Sequence, residues 1–260
     1  MTFLLYMLLG AGAGTLAGLF GVGGGLIIVP VLIFSFTLQG MTPEVMTHLA
    51  VGTSLATIVF TSINSVLAHH KRGAVLWPVV LWLSGGIIIG SFLGGITAAY
   101  IPGRELQIII GVFALLMSLQ MATGWRPKGA KSTLGHTLLS VAGTIIGWAS
   151  AIFGIGGGSL TVPFLTWRGV EMKQAVASAA AVGLPLAVSG ALSFMVMGWG
   201  HESLPGWSIG YVYLPALVGI ASTSMIFARF GAALAHKLDP VMLKRLFALL
   251  LLCVGLNFLL

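Results

Sequence analysis

Two stretches hold the residues best placed to do chemistry. Residues 20–25 read FGVGGG and run into LIIVP; residues 153–158 read FGIGGG and run into SLTVP. A helix that starts on a triple glycine presents unpaired N–H groups and the positive end of its dipole. Such an end binds an anion without any cationic side chain, which suits an apolar interior where charge is costly. Pro30 and Pro163 each lie five residues past their glycines and remove one donor from the short helix that follows. Gly23, Gly24, Gly25, Gly156, Gly157 and Gly158 are therefore candidate anion-binding residues. The competing reading is close helix packing, for which one small residue would suffice.

Polar side chains within the apolar stretches are few. Thr53, Ser54, Thr57, Thr61, Ser62 and Asn64 thread one stretch; Ser178, Ser189 and Ser193 thread another. Hydroxyls and amides donate hydrogen bonds to oxyanion oxygens without adding fixed charge, and Thr53, Ser54, Asn64 and Ser178 are candidates for that task. Bonding between helices, or back to a helical carbonyl, is the alternative. His48, one turn before Thr53, is a candidate for binding an anion or a coupling proton, since imidazole titrates near neutrality. Gln174 holds the equivalent place before Ser178. Arg229 either reaches the cytoplasmic edge or draws substrate from that side.

The elements that position these residues follow from composition. Of 260 residues, 58% are hydrophobic and 7% charged, with mean hydropathy +1.08; a soluble domain carries about 25% charged residues. The chain is read as an integral membrane protein, and its long apolar runs exclude an outer-membrane barrel. Its start lacks a basic leader and is read as a first span. Helices are expected at 3–20, 25–37, 43–68, 74–100 and 105–122, then at 135–153, 158–168, 172–198, 207–235 and 240–259. The second segment of each set is too short to cross a membrane alone, so it is read as a half-helix or one arm of a hairpin. The single Cys253 lies in a leucine-rich run, which excludes disulfides.

The two sets repeat. At a shift of 133 (14 to 147), Gly14, Phe20, Gly21, Gly23, Gly24, Gly25, Val29 and Pro30 coincide with Gly147, Phe153, Gly154, Gly156, Gly157, Gly158, Val162 and Pro163. The chain divides into a first repeat at 1–123, a cytoplasmic linker at 124–133 and a second repeat at 134–260. Cations fix the orientation. Lys71, Arg72, Arg126, Lys128, Lys131, Arg168, Lys173, Lys237, Lys244 and Arg245 all fall inside only if each repeat crosses an odd number of times. An odd-spanned repeat is inverted relative to its twin, with both termini outside. The expected fold is thus an all-α polytopic membrane protein of two inverted, pseudo-two-fold-related repeats of about five helical segments each. Inverted repeats with broken helices are a transporter signature, with the site near the midplane. The glycine ladders at 10–18 and 86–94 read as packing faces, and the second also offers a contact face for a homo-oligomer.

The paired FGVGGGLIIVP and FGIGGGSLTVP, with HLAVGTSLA at 48–56, resemble the sulfite exporter TauE/SafE family over essentially the whole chain. The resemblance implies a carrier of sulfite, thiosulfate or sulfonates in a bacterial inner membrane. Many members repeat a TSL-like stretch in both halves, whereas Ser178-Ala179-Ala180 stands here in the second, which implies an asymmetric site. The expected function is secondary transport of a small sulfur-containing anion, most simply export by alternating access. A channel, or a carrier of another oxyanion or a carboxylate, is the alternative. No P-loop for ATP, no GxSG serine motif and no HExxH metal motif occurs in the sequence. The expected partners are the anion, membrane lipid and a coupling proton; no enzyme activity, cofactor, metal or nucleic acid is expected.

Overall fold

The structure, a computed structural model, describes residues 2–20, 24–123, 135–235 and 240–260. Among these residues it is built from helices α1 (Thr2–Phe20), α2 (Gly25–Leu38), α3 (Pro43–Lys71), α4 (Trp77–Ala99), α5 (Gly103–Thr123), α6 (His136–Phe153), α7 (Gly158–Trp167), α8 (Met172–Met197), α9 (Leu214–Ala235) and α10 (Pro240–Leu259). One two-stranded hairpin, β1 (Ser208–Ile209) with β2 (Val212–Tyr213), precedes α9. Helices α3, α4, α5, α6, α8 and α9 are long and apolar enough to cross a membrane. Their outer faces carry exposed Leu81, Ile89, Ile145, Val196 and Val218, as lipid contact requires. The chain is an all-α polytopic membrane protein. The linker at 124–133, Gly23 and Lys237 lie outside the described residues.

One expected helix starts late. A helix was expected from 207, but residues 208–213 form the hairpin, turning at Gly210 (φ 53°) and Tyr211. The short run of Tyr and Val with a glycine at the turn favours paired strands over a helix. The hairpin folds inward: the Tyr211 amide donates to the Phe194 carbonyl at 3.1 Å, and its own carbonyl presses on Gly52 of α3.

Lipid tails are as apolar as leucine, so membrane helices associate through close packing rather than hydrophobic exclusion. The glycine ladders supply that packing. β-Carbons placed at Gly86, Gly90 and Gly94 would run into Ser140, Thr144 and Trp148 of α6 in turn. Gly10 and Gly14 face Ile220 and Ser224 of α9 in the same way. Contact numbers rise together in both pairs, so α4 runs parallel to α6 and α1 parallel to α9. These are the two most extensive helix pairings. The shift of 133 that relates the glycine breaks also carries Gly86 onto Gly219, which faces Tyr6 and Met7 of α1.

Two other pairs run the opposite way. Gly52 meets Phe194, Gly190 meets Leu55 and Gly183 faces Ser62, so α3 and α8 are antiparallel. Gly111 faces Phe258 and Ser118 donates to the Ala248 carbonyl at 2.7 Å, so α5 and α10 are antiparallel too. Hydroxyls join α8 to α4: Ser189 donates to the Ile88 carbonyl at 2.7 Å and Ser193 to that of Phe92 at 2.8 Å.

One expectation about contacts between copies changes here. The ladder at 86–94 is covered by α6 of the same chain, so it offers no face to a second copy.

Neighbouring glycines test the packing. At Gly86 a methyl would sit on the Ser140 carbonyl and 2.8 Å from the Thr144 nitrogen, whereas at Gly85 it would meet nothing within 4 Å. Gly86→Ala should lower unfolding stability in detergent by about 1–3 kcal/mol through overpacking. Gly85→Ala should be neutral or stabilising by up to about 1 kcal/mol, because alanine is the better helix former. Equal midpoints for the two variants would remove the ladder's packing role.

Candidate functional site

The two glycine breaks meet. Helix α1 stops at Phe20, and α2 begins at Gly25 after Gly24, whose φ of 82° only glycine adopts without strain. Helix α6 stops at Phe153, and Gly154 turns the chain left-handed at φ 64°. The Gly154 and Ile155 amides close that end on the Ala151 and Ser150 carbonyls at 3.2 and 3.0 Å. Gly25 then lies directly against this turn. A β-carbon on it would be 2.5 Å from the Gly154 oxygen and 2.6 Å from the Ile155 Cα. Ser54, buried on α3, donates to the same Gly154 carbonyl at 3.0 Å. Backbone meets backbone here, with one hydroxyl tying the junction.

The two triplets differ at their last glycine. Among the described residues no atom outside its own helix and chain neighbours lies within 4 Å of a β-carbon placed at Gly158, the first residue of α7. Gly157 abuts α8, near the Ala179 carbonyl and the Gly183 backbone. The buried Gly156 and Gly157 amides have no hydrogen-bond acceptor among the described residues. The first amides of α7 likewise precede any intrahelical partner. Buried hydroxyls lie on the two helices that flank this break: Ser150 of α6 and Ser159 and Thr161 of α7 have no hydrogen-bond partner among the described residues. An unpaired buried donor is costly and marks a place where water or a ligand belongs. The first copy carries Ala17, Leu26 and Ile28 at the matching positions. Comparing the two copies residue by residue would have picked out these three hydroxyls.

The other candidates divide by location. Thr53 accepts a bond from the Tyr213 amide at 2.9 Å, immediately before α9. Ser178 accepts one from the Leu76 amide at 3.0 Å, immediately before α4. The pair thus performs one task twice, fixing the start of a helix in the other half of the chain. His48 is buried, with Nε2 at 3.0 Å from both the Ala98 and Ile101 carbonyls, so Nε2 carries the hydrogen and donates. Its ring stacks on Tyr211 at 5.0 Å. It lines a cavity of about 470 Å³ together with Glu44, Arg104, His201 and Tyr211. Burial raises the Tyr211 phenol above its ordinary pKa and the Glu44 carboxylate adds to the shift, so Tyr211 is a neutral donor at pH 7. His48 and Ser54 are about 9 Å apart along α3, so that cavity is separate from the breaks.

Gln174 is half-buried near the start of α8, while Asn64 and Arg229 are exposed. The structure therefore brings Gly24, Gly25, Ser54, Gly156, Gly157 and Gly158 together and leaves His48, Asn64 and Arg229 outside that group. Among the described residues no three His, Cys, Asp or Glu side chains are grouped to hold a metal ion.

Residues 6–258 match the family described as sulfite exporter TauE/SafE. A "Probable membrane transporter protein" of Haemophilus influenzae is 42% identical, across 98% of this chain and 97% of its own. "Probable membrane transporter protein YunE" of Bacillus subtilis is 28% identical, across 98% and 96%. A similarly named protein of Methanocaldococcus jannaschii is 28% identical, across 98% and 95%. No solved structure matches the chain significantly.

The contrast between the breaks is testable by methyl insertion. Gly25→Ala forces a carbon into the Gly154–Gly156 backbone and should lower the melting temperature in detergent, at a cost of about 1–3 kcal/mol or more. Gly158→Ala meets no described residue within 4 Å outside its own helix and should melt as the wild type does. An equal loss in both would mean that the second break is as tightly packed as the first.

Proposed function

The chain belongs to the sulfite exporter TauE/SafE family, and from that premise we propose that this multi-pass membrane transporter is a secondary carrier of a small sulfur-containing anion. Sulfite, thiosulfate and an organosulfonate such as sulfoacetate are the substrates considered, and export across a bacterial inner membrane is the direction. The contact between Gly25 and Gly154–Gly156 carries this reading. It brings two broken helices to one point, and the nearby amides and hydroxyls that have no partner among the described residues support an anion site built without cations. Donors of that kind favour acceptor-only oxygens, and a neutral lining holds an anion without trapping it.

The inverted arrangement, with both termini periplasmic, is part of the proposal. Helices that correspond between the halves run antiparallel where they touch, as α3 with α8 and α5 with α10 do, and this supports a two-fold axis in the membrane plane. The placement of Lys71, Arg72, Arg168 and Lys173 supports the same orientation. Alternating access about that axis requires no cofactor; the coupling ion is proposed to be a proton.

Purified protein in proteoliposomes should take up labelled sulfite, thiosulfate or sulfoacetate with saturable kinetics and counterflow. A flat response to all three would sink the substrate class, and flux without saturation or counterflow would indicate a channel. In a Cys253→Ser background, cysteine tags at either terminus should react with an impermeant maleimide from the periplasmic side. Labelling only after permeabilisation would refute the inverted orientation.

A further inference from the structure

His48 sits among acceptors. Its Nε2 gives one hydrogen to the Ala98 and Ile101 carbonyls, both at 3.0 Å, where α4 ends and its dipole is negative. The Glu44 carbonyl, one turn earlier on α3, is a third acceptor beside the ring. Tyr211 stacks on one face with ring centroids 5.0 Å apart, and an aromatic face attracts a cation. Nδ1 is buried and makes no hydrogen bond among the described residues. In the neutral ring that atom is a basic lone pair with no donor to meet it, in a side chain only 4% exposed. A second proton makes it a donor among acceptors.

The charged and titratable groups that line the cavity with His48 are Glu44 of α3, Tyr100 after α4, Arg104 of α5, and His201 and Tyr211 ahead of α9. Arg104 is turned toward the end of α10, donating to the Phe258 and Leu259 carbonyls at 3.3 Å each. Glu44 supplies the one carboxylate among the described residues that line the cavity, and it meets the Ser203 hydroxyl at 3.5 Å. It is the countercharge available to a positive His48. The ring is also tied to the glycine junction. Tyr211 presses its carbonyl on Gly52, and the Tyr213 amide bonds Thr53. The next residue, Ser54, holds the Gly154 carbonyl.

We propose that His48 is the proton-binding site of this carrier, taking a proton at Nδ1 from the cavity and linking it to the glycine junction through residues 48–54 of α3. The proposal rests on the reading of a proton-coupled anion carrier and adds the residue that couples. The proton comes from hydronium in the cavity, adds to the Nδ1 lone pair and later returns to water. Nε2–H stays on its carbonyls throughout.

His48→Gln is the direct test, because a glutamine amide donates to carbonyls as Nε2 does but has no basic nitrogen. Spectra of 15N-histidine-labelled protein in detergent, wild type against variant, assign the His48 ring by difference. Its Nδ1 signal should pass from the unprotonated to the protonated position between about pH 8 and pH 5. A ring that stays neutral over that range overturns the proposal. In proteoliposomes, labelled thiosulfate and sulfoacetate keep fixed charges near neutral pH. A pH difference of about one unit should change their wild-type accumulation by up to about tenfold, for one proton per anion. The His48→Gln variant should lose that response. A wild-type response in His48→Gln overturns the proposal, and so does wild-type flux indifferent to the pH difference. If the wild type moves neither anion, the carrier reading falls instead. The ring titration then decides alone whether His48 binds the proton, as it also does if His48→Gln is too inactive to assay.

Discussion

In a lipid interior no water waits to bond a broken helix, so every amide and carbonyl released at a break must find its partner within the protein. That constraint organises this molecule. At the α6–α7 break the left-handed Gly154 turns two amides back onto the end of α6, and Ser54 donates to the Gly154 carbonyl from α3. Gly25 seals the other side with bare backbone. What is left over among the described residues, the Gly156 and Gly157 amides, is the small unsatisfied remainder on which the proposed anion site rests.

The surrounding helices keep that remainder in place without hydrophobic help. Rows of glycine let α4 lie on α6, and α1 on α9, at backbone contact. Serines of α8 anchor to α4 carbonyls, and Thr53 and Ser178 each hold the amide just ahead of a helix in the opposite half. Small residues and single hydroxyls thus do what large apolar side chains do in a water-soluble core.

Much of this was legible in the residues. Apolar runs, proline and glycine placed the helix ends within a few positions, and the repeated FGxGGG marked both breaks. The hairpin at 208–213 was not legible, because a short apolar run with one glycine reads equally as the first turn of a helix. The roles of Thr53 and Ser178 were half legible. Their symmetry was visible, but the donors to their lone pairs, the Tyr213 and Leu76 amides, lie in distant segments that only folding brings near. The difference between Gly25 and Gly158 was hidden for the same reason. The last glycine of one triplet becomes a packed contact, because the Gly154–Gly156 turn lies opposite it, whereas that of the other meets no described residue.

The parallel packing of α1 on α9 also bears on how the protein is made. Helix α1 has as its main partner α9, which is encoded in the second half, while α4 must wait for α6 across the linker. Until then the glycine rows of α1 face lipid or whatever membrane chaperone covers them. Neither half completes its own interior, so assembly follows insertion instead of accompanying it, and the contacts that define the fold close late, at large sequence separation.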